Sequence, residues 1–309
     1  MEEKYFSGVW ATMVTPFDSG LRIRYDVLER MVDWYIQRGI DGLFAVCQSS
    51  EMEWLNPEEF RKICRTVVNT AGGRIPVVAS GYSAETMDGQ LKNTEQIYES
   101  GVDAVVLLSN RFVEKGESDS VFLRNLEGFL EKIDPAVPLG IYECPTPFKW
   151  LLTEKSVEYC AKSKRFMFFK DTSCHSATIR KRLKITRNTP LKLFNANAAT
   201  FLQSLWDGVD GYCGVMANFH PELYGWLYRN FASKPELAQR ISDFLAVASA
   251  CEGRMYPDNA KYYLKKWIPG METVSRKWCG KELPESFRLE VESMEELAEE
   301  YRQLCGIFI

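Results

Sequence analysis

Short apolar runs alternate with segments of helical period along most of the chain. Three stretches share one frame: "GIDGLFAVC" (39–47), "GVDAVVLLS" (101–109) and "GVDGYCGVM" (208–216). In each, a glycine able to close a helix in the left-handed conformation is followed at once by a short apolar strand. Helix-period sequence precedes each one: "YDVLERMVDWYIQR", "MDGQLKNTEQIYES" and "ATFLQSLWD". The recurrence of helix, glycine and strand predicts βα units with buried parallel strands. Such strands are expected at 9–14, 42–47, 76–80, 104–109, 138–143, 165–170, 191–196 and 210–215. Their spacing of roughly 20–35 residues leaves room for one crossover helix each. Eight such units predict an α/β fold, a (β/α)8 TIM barrel over residues 5–232. A doubly wound sheet is the competitor, but it shows five or six strands and a glycine-rich first turn, and no GxGxxG or GxxxxGK[ST] follows any strand here. After Pro235 the pattern turns to helices alone, in "ELAQRISDFLAVASACE", "NAKYYLKKWI" and a stripe of Val291, Met294, Ala298, Tyr301 and Leu304. A C-terminal helical module over 233–309 is expected, packed on the barrel or on another subunit.

Composition narrows the function classes. A net charge of -4 supplies no basic field for nucleic acid or an anionic membrane. No run of about 18 apolar residues is present, so no spanning helix is expected. "MEEKYFSGVWATMVTPFD" lacks a cationic start and does not read as a signal peptide. The nine cysteines are scattered without a CxxC pair, which fits reduced thiols and a cytoplasmic setting. With only two histidines, His175 and His220, a histidine-built zinc site and metal-dependent aldol chemistry are not expected. No cofactor is expected.

In barrels of this kind the site lies where the strands end. The residues to weigh are Thr15-Pro16, Gln48-Ser49-Ser50-Glu51, Asn110-Arg111, Tyr142-Glu143, Lys170-Asp171, and Asn195 with Asn197. Lys170 closes the apolar run "FMFF" and is followed by Asp171, Thr172 and Ser173, whose carboxylate and hydroxyls could hold the amine in place. A lysine amine attacks a carbonyl only when unprotonated, and burial disfavours the ammonium form. The imine it forms is an electron sink through which bonds alpha to the former carbonyl carbon are made or broken. Such chemistry needs a proton shuttle, and Tyr142 on the neighbouring strand end is placed for it. A keto-acid substrate also needs a carboxylate clamp, which Ser49, Ser50 and the N–H groups of their turn could supply. Each residue alone has a plainer role: a snorkelling lysine, a core tyrosine, a helix cap at 49–51, a surface charge at Arg111. Structural roles are expected for His175 and His220. Only the joint placement of Lys170, Tyr142 and the 48–51 turn favours chemistry.

These residues lie in motifs that resemble the dihydrodipicolinate synthase / N-acetylneuraminate lyase family of pyruvate-handling class I aldolases. "GVWATMVTPFD" resembles that family's N-terminal strand, "YECP" (142–145) its Tyr-x-x-Pro, and "FFKDTS" (168–173) its Lys-[Glu/Asp]-x-Ser. The resemblance covers about residues 5–300. It implies the barrel with a C-terminal helical module, commonly a tetramer, with Lys170 as the Schiff-base residue, Tyr142 as the proton-relay phenol, and Ser49 and Ser50 at the turn that holds the pyruvate carboxylate. The sequence departs from the family at several points. "CQSSE" stands for Gly-[Thr/Ser]-Thr-Gly-Glu, so Gln48 replaces a hydroxyl that commonly hands protons to the tyrosine. A glutamine bonds both ways but cannot pass a proton through a hydroxyl. "SNRF" offers no tyrosine after the fourth strand, Pro147 stands where the synthase branch has an arginine, and "NANAAT" has no acidic pair.

The expectation is therefore a Schiff-base lyase or aldolase acting on pyruvate or a 2-oxo acid that yields it, with an aldehyde as second partner. Gln48 would line the site, with Arg111 and Lys149 as partners for an acidic second substrate. The chain is expected to form a homo-oligomer, dimer or tetramer. The alternative is a barrel impaired in turnover that serves as a keto-acid sensor or scaffold. A phosphate-binding barrel isomerase ranks last, since "CGVMANFHP" offers only Gly214 where a glycine-rich turn belongs.

Overall fold

The computed structural model describes residues 6–308 apart from 82, 83 and 85, so the outer ends of the expected barrel and module, residues 5 and 309, lie outside it. Eight parallel strands close in sequence order: β1 (Gly8–Thr12), β2 (Gly42–Phe44), β3 (Val77–Ser80), β4 (Ala104–Leu108), β5 (Leu139–Tyr142), β6 (Phe166–Asp171), β7 (Lys192–Asn195) and β8 (Gly211–Tyr212). Closure is made by β8 beside β1, with Gly8 opposite Gly211 and Val9 opposite Tyr212. The crossover helices are α1 (Tyr25–Gln37), α2 (Pro57–Ala71), α3 (Met87–Tyr98), α4 (Asp119–Leu130), α5 (Glu154–Ser163), α6 (Ser176–Thr186), α7 (Phe201–Trp206) and α8 (Pro221–Asn230). Helices α9 (Pro235–Ala248), α10 (Asp258–Lys265) and α11 (Glu285–Cys305) follow, as expected of a TIM barrel with added C-terminal helices. Among the described residues no helix is long and apolar enough to cross a membrane.

Local sequence explains the framing. Helix α2 starts on Asn56, whose side chain accepts from the N–H groups of Glu58 and Glu59 while Glu59 bonds back to Asn56 N–H. It ends on Gly72 in the left-handed conformation, the capping box and C-terminal glycine that the sequence pattern calls for. The barrel interior is filled by aromatic rings. Trp10 lies 5.2 Å from both Phe168 and Phe194, and Phe44 packs edge-on to Phe168. Two glycines make room. A Cβ on Gly42 would stand 2.2 Å from the Trp10 ring, and one on Gly211 would meet the Gly8 carbonyl at 2.0 Å, at the seam that closes the barrel.

The regular strands are shorter than the apolar runs that predicted them. Residues 45–47 remain buried, with Ala45 N–H still donating to Val78 O at 2.8 Å, but the chain then bends into a single 3-10 turn at Gln48–Ser50. A second such turn, Ser109–Arg111, follows β4. These bends carry the strand ends into the mouth of the barrel.

Candidate active site

Because side chains alternate along a strand, Phe168 and Lys170 share the inward face of β6 while Phe169 and Asp171 point outward. Lys170 stands directly opposite Tyr142 in the β5–β6 register. Its Nζ lies 4.6 Å from the centroid of the Tyr142 ring and 5.7 Å from that of Phe44, and both Lys170 and Tyr142 are 4% exposed. Among the described residues no carboxylate forms an ion pair with the amine.

Here the structure corrects one expectation. Asp171, Thr172 and Ser173 do not hold the Lys170 amine. Asp171 Oδ2 accepts from Arg182, Ser173 donates to Asp171 at 2.7 Å, and the Thr172 hydroxyl donates to Glu143 O at 2.7 Å. Strand alternation is the reason, for it turns the residue after an inward lysine to the barrel's outer wall. There Arg182, 1% exposed, bridges Asp171 and Glu143, donating to Glu143 Oε1 at 2.6 Å. Burial pushes the Glu143 carboxyl up to about 7 against the pull of Arg182. The knot fixes the ends of β5 and β6, and with them Tyr142 and Lys170.

The 48–51 turn lies across the mouth and its residues divide in role. Ser50 has its hydroxyl committed: it donates to Met13 O at 2.6 Å and accepts from Cys47 N–H at 3.2 Å, while Ser50 N–H donates to Cys47 O. Its hydroxyl thereby pins the turn on which Ser49 stands. Ser49 donates to Thr12 Oγ1 at 3.2 Å. Gln48 reaches over to donate to Thr146 Oγ1. Glu51, in the left-handed conformation at φ 60°, is 1% exposed and pairs with Lys261 of α10 at 2.7 Å. Arg111 lies on the turn after β4 and lines a cavity of about 460 Å³ with Gln90, Lys115 and Phe148. It is not gathered against the Lys170–Tyr142 pair. Lys149 donates to Thr172 O at 2.9 Å at the rim between β5 and β6.

Several mouth residues went unnoticed in the sequence. Asn218, after β8, donates to Thr12 O at 2.9 Å and to the Tyr256 hydroxyl at 3.1 Å. Asn110, already weighed as a strand-end residue, staples the β5 loop, donating to the carbonyls of Cys144, Thr146 and Phe148. Glu252 lies exposed in the turn after α9, where the charge of Lys170 acts on its carboxyl in the lowering sense. Cys144 sits inside the "YECP" motif, fully buried, with its N–H closing back on Tyr142 O at 2.9 Å. Burial pushes the phenol well above its usual range and the thiol up to about 11. Tyr256 and Glu252 carry no local signal, whereas Cys144 lies two residues past Tyr142 and was open to the same alternation argument. His220 stands at the N-terminal cap of α8 and His175 at that of α6. Among the described residues no group of three or more histidines, cysteines and carboxylates is placed to hold a metal.

Comparison with known proteins agrees with the fold. The family model for the dihydrodipicolinate synthetase family matches residues 5–249. The chain is 28% identical over 221 residues to the 4-hydroxy-tetrahydrodipicolinate synthase of Jannaschia sp., covering 71% of this chain and 72% of that protein. Against the synthase of Pseudomonas aeruginosa it is 24% identical over 286 residues, covering 92% and 91%. In fold it is similar to dihydrodipicolinate synthase from Bacillus anthracis, with a TM-score of 0.84 at 20% identity over 94% of this chain and 98% of that one. A prophage protein of the dihydrodipicolinic acid synthase family from E. coli K12, solved in complex with pyruvate, gives a TM-score of 0.83 at 18% identity, over 95% and 99%. With the family model spanning most of the barrel, the chain belongs to the dihydrodipicolinate synthetase family, a family of pyruvate-dependent class I aldolases and lyases.

Proposed function

We propose that the protein is a Schiff-base lyase or aldolase that acts on pyruvate, or on a 2-oxo acid that yields pyruvate, with an aldehyde as the second partner. The observation that carries this is the pairing of the buried Lys170, which makes no ion pair among the described residues, with the Tyr142 ring at 4.6 Å in the mouth of the barrel. Lys170 adds to the keto carbon, water leaves, and the iminium draws electrons from the adjacent carbon–carbon or carbon–hydrogen bond. Tyr142 moves the protons that these steps require. Ser49, with the N–H groups that open its short turn, receives the carboxylate. An anionic group on the second substrate would be met by Lys149 at the rim or Arg111 at the β4 turn.

Enamine formation has a direct readout. In deuterated water the wild type should exchange the methyl protons of pyruvate, followed by NMR, and Lys170→Ala should not. Binding of pyruvate without any exchange would overturn the lyase reading and favour a keto-acid sensor, a role suited to the Gln48 amide that stands in the relay position.

A further inference from the structure

Hydrogen-bond direction decides which hydroxyl protons the mouth of the barrel can offer a ligand. Trp10 and Phe168 meet at 5.2 Å inside the barrel, and by alternation the next inward positions on their strands are Thr12 and Lys170. Thr12 therefore stands in the same layer as the amine. Its hydroxyl donates to Gly214 O at 3.4 Å, so toward Ser49 it accepts, and Ser49 spends its proton on that bond at 3.2 Å. Ser50 spends its own on Met13 O. The turn thus keeps the N–H groups that open it for an anion, but no serine proton. One phenol is polarised the other way. The Asn218 amide is fixed in orientation: its Oδ1 accepts from Tyr35, while Nδ2 donates to Thr12 O at 2.9 Å and Val215 O at 2.8 Å, carbonyls that accept only. The same nitrogen donates to the Tyr256 hydroxyl at 3.1 Å, so Tyr256 accepts there and retains its own proton to give. The residue is anchored from behind, its carbonyl accepting from Trp278 Nε1 at 3.0 Å and Lys277 Nζ at 3.1 Å. A single amide nitrogen therefore ties the phenol oxygen to the last residue of β1, beside Ser49.

We propose that Tyr256 is the hydroxyl donor to the carboxylate of the keto acid, lent to the barrel by the C-terminal helical module in place of the serine hydroxyls. The inference rests on the Schiff-base reading above. With the keto carbon on Lys170, the carboxylate lies toward the wall made by Thr12 and Ser49. One of its oxygens takes the N–H groups of the 48–51 turn, and the other takes the Tyr256 proton. The Asn218 N–H on the phenol oxygen polarises the hydroxyl and makes it the better donor. The phenol stays neutral and hands over no proton, so Tyr256 binds and orients while Tyr142 does the proton transfers. A donor to a charged group is worth more than one to a neutral group, so the arrangement selects 2-oxo acids over neutral ketones.

The test compares two ligands that share a carbonyl and differ in charge, pyruvate and its neutral amide, pyruvamide. Borohydride trapping over a range of concentrations gives the half-saturating value of each. In Tyr256→Phe the value for pyruvate should rise about tenfold or more, the loss expected for a hydrogen bond to a charged group. That for pyruvamide should rise by less than about threefold, so the preference for the acid narrows. In methyl exchange the loss should fall on the half-saturating concentration more than on the maximal rate. A purely structural tyrosine would weaken both ligands alike. Equal weakening, or a pyruvate shift below about twofold, would overturn the proposal. A crystal structure of the borohydride-reduced wild-type adduct needs no variant, so a misfolded substitution leaves the test standing. It should place the Tyr256 oxygen about 2.5–3.0 Å from a carboxylate oxygen, and a separation beyond about 4 Å would overturn the assignment. No trapped adduct in the wild type would instead remove the Schiff-base reading, whereas a trapped adduct indifferent to Tyr256→Phe removes this inference alone.

Discussion

Replacing Lys261 with methionine should destabilise the fold and loosen the turn that carries Ser49. The amine is fully buried, 2.7 Å from Glu51 Oε1 and 2.7 Å from Val274 O. The other oxygen of Glu51 accepts from Arg276 N–H at 2.7 Å and Lys277 N–H at 3.0 Å. At 2.7 Å and an effective dielectric of about 20, the two charges attract by about 6 kcal/mol. Desolvation of both ions cancels much of that, so the pair adds little net stability. Lys261→Met leaves the Glu51 carboxylate buried with two backbone donors only, an exposure to cost of about 3–5 kcal/mol. In the double variant Lys261→Met with Glu51→Gln, no charge is buried. The new amide oxygen can keep Arg276 and Lys277 N–H, and its NH2 can turn to the Val274 carbonyl. Its loss should be about 1–2 kcal/mol, well below the sum of the single losses. Urea unfolding followed by fluorescence and circular dichroism reads this, and calorimetric titration with pyruvate should show weaker binding in the single variant. A cost below about 1 kcal/mol for Lys261→Met, or strict additivity in the double variant, would refute the reasoning.

Three further outcomes are expected. Tyr142→Phe should still bind pyruvate but slow methyl exchange by about two to four orders of magnitude; an unchanged rate would assign the proton transfers to another group. Arg182→Leu strands the Glu143 and Asp171 carboxylates, and because burial already raises Glu143 to about 7, the variant should be less stable at pH 8 than at pH 5.5, where Glu143 takes a proton. Melting temperatures at the two pH values check the sign. His220 is buried with its ionisation lowered by burial to about 3, so the unfolded chain binds the extra proton between about 3 and 6.5 and stability falls as the pH drops through that window. Relative to His220→Gln, the wild type should lose about 2 kcal/mol more between pH 7 and pH 5 in urea unfolding.

The barrel was legible because its strands are apolar on both faces and three of them, β2, β4 and β8, are announced by a glycine after a helix. The Lys170–Tyr142 pair was legible for a related reason: two predicted strand ends that are neighbours in the barrel must bring their last inward residues together. Asp171 was misjudged from proximity in sequence, although the same alternation that turns Lys170 inward sends its neighbour to Arg182. Ser50 was beyond a sequence reading, since its direction depends on the 3-10 turn and on the left-handed φ of Glu51, which no local pattern announces. The contribution of the C-terminal helices was equally hidden. Glu51 and Lys261 lie 210 residues apart, and Tyr256 meets Asn218 only because α9 and α10 fold back over the mouth. Amphipathic stripes say that helices pack, but not which polar side chains they bring with them.

The central claim is that the Lys170 amine forms an imine with a keto acid. Intact-mass spectrometry after adding pyruvate and borohydride tests it most directly, with Lys170→Ala measured alongside. The account predicts one reduced pyruvate adduct per chain in the wild type and none in the variant. An adduct of equal extent in Lys170→Ala, or no adduct in the wild type with pyruvate, would contradict it.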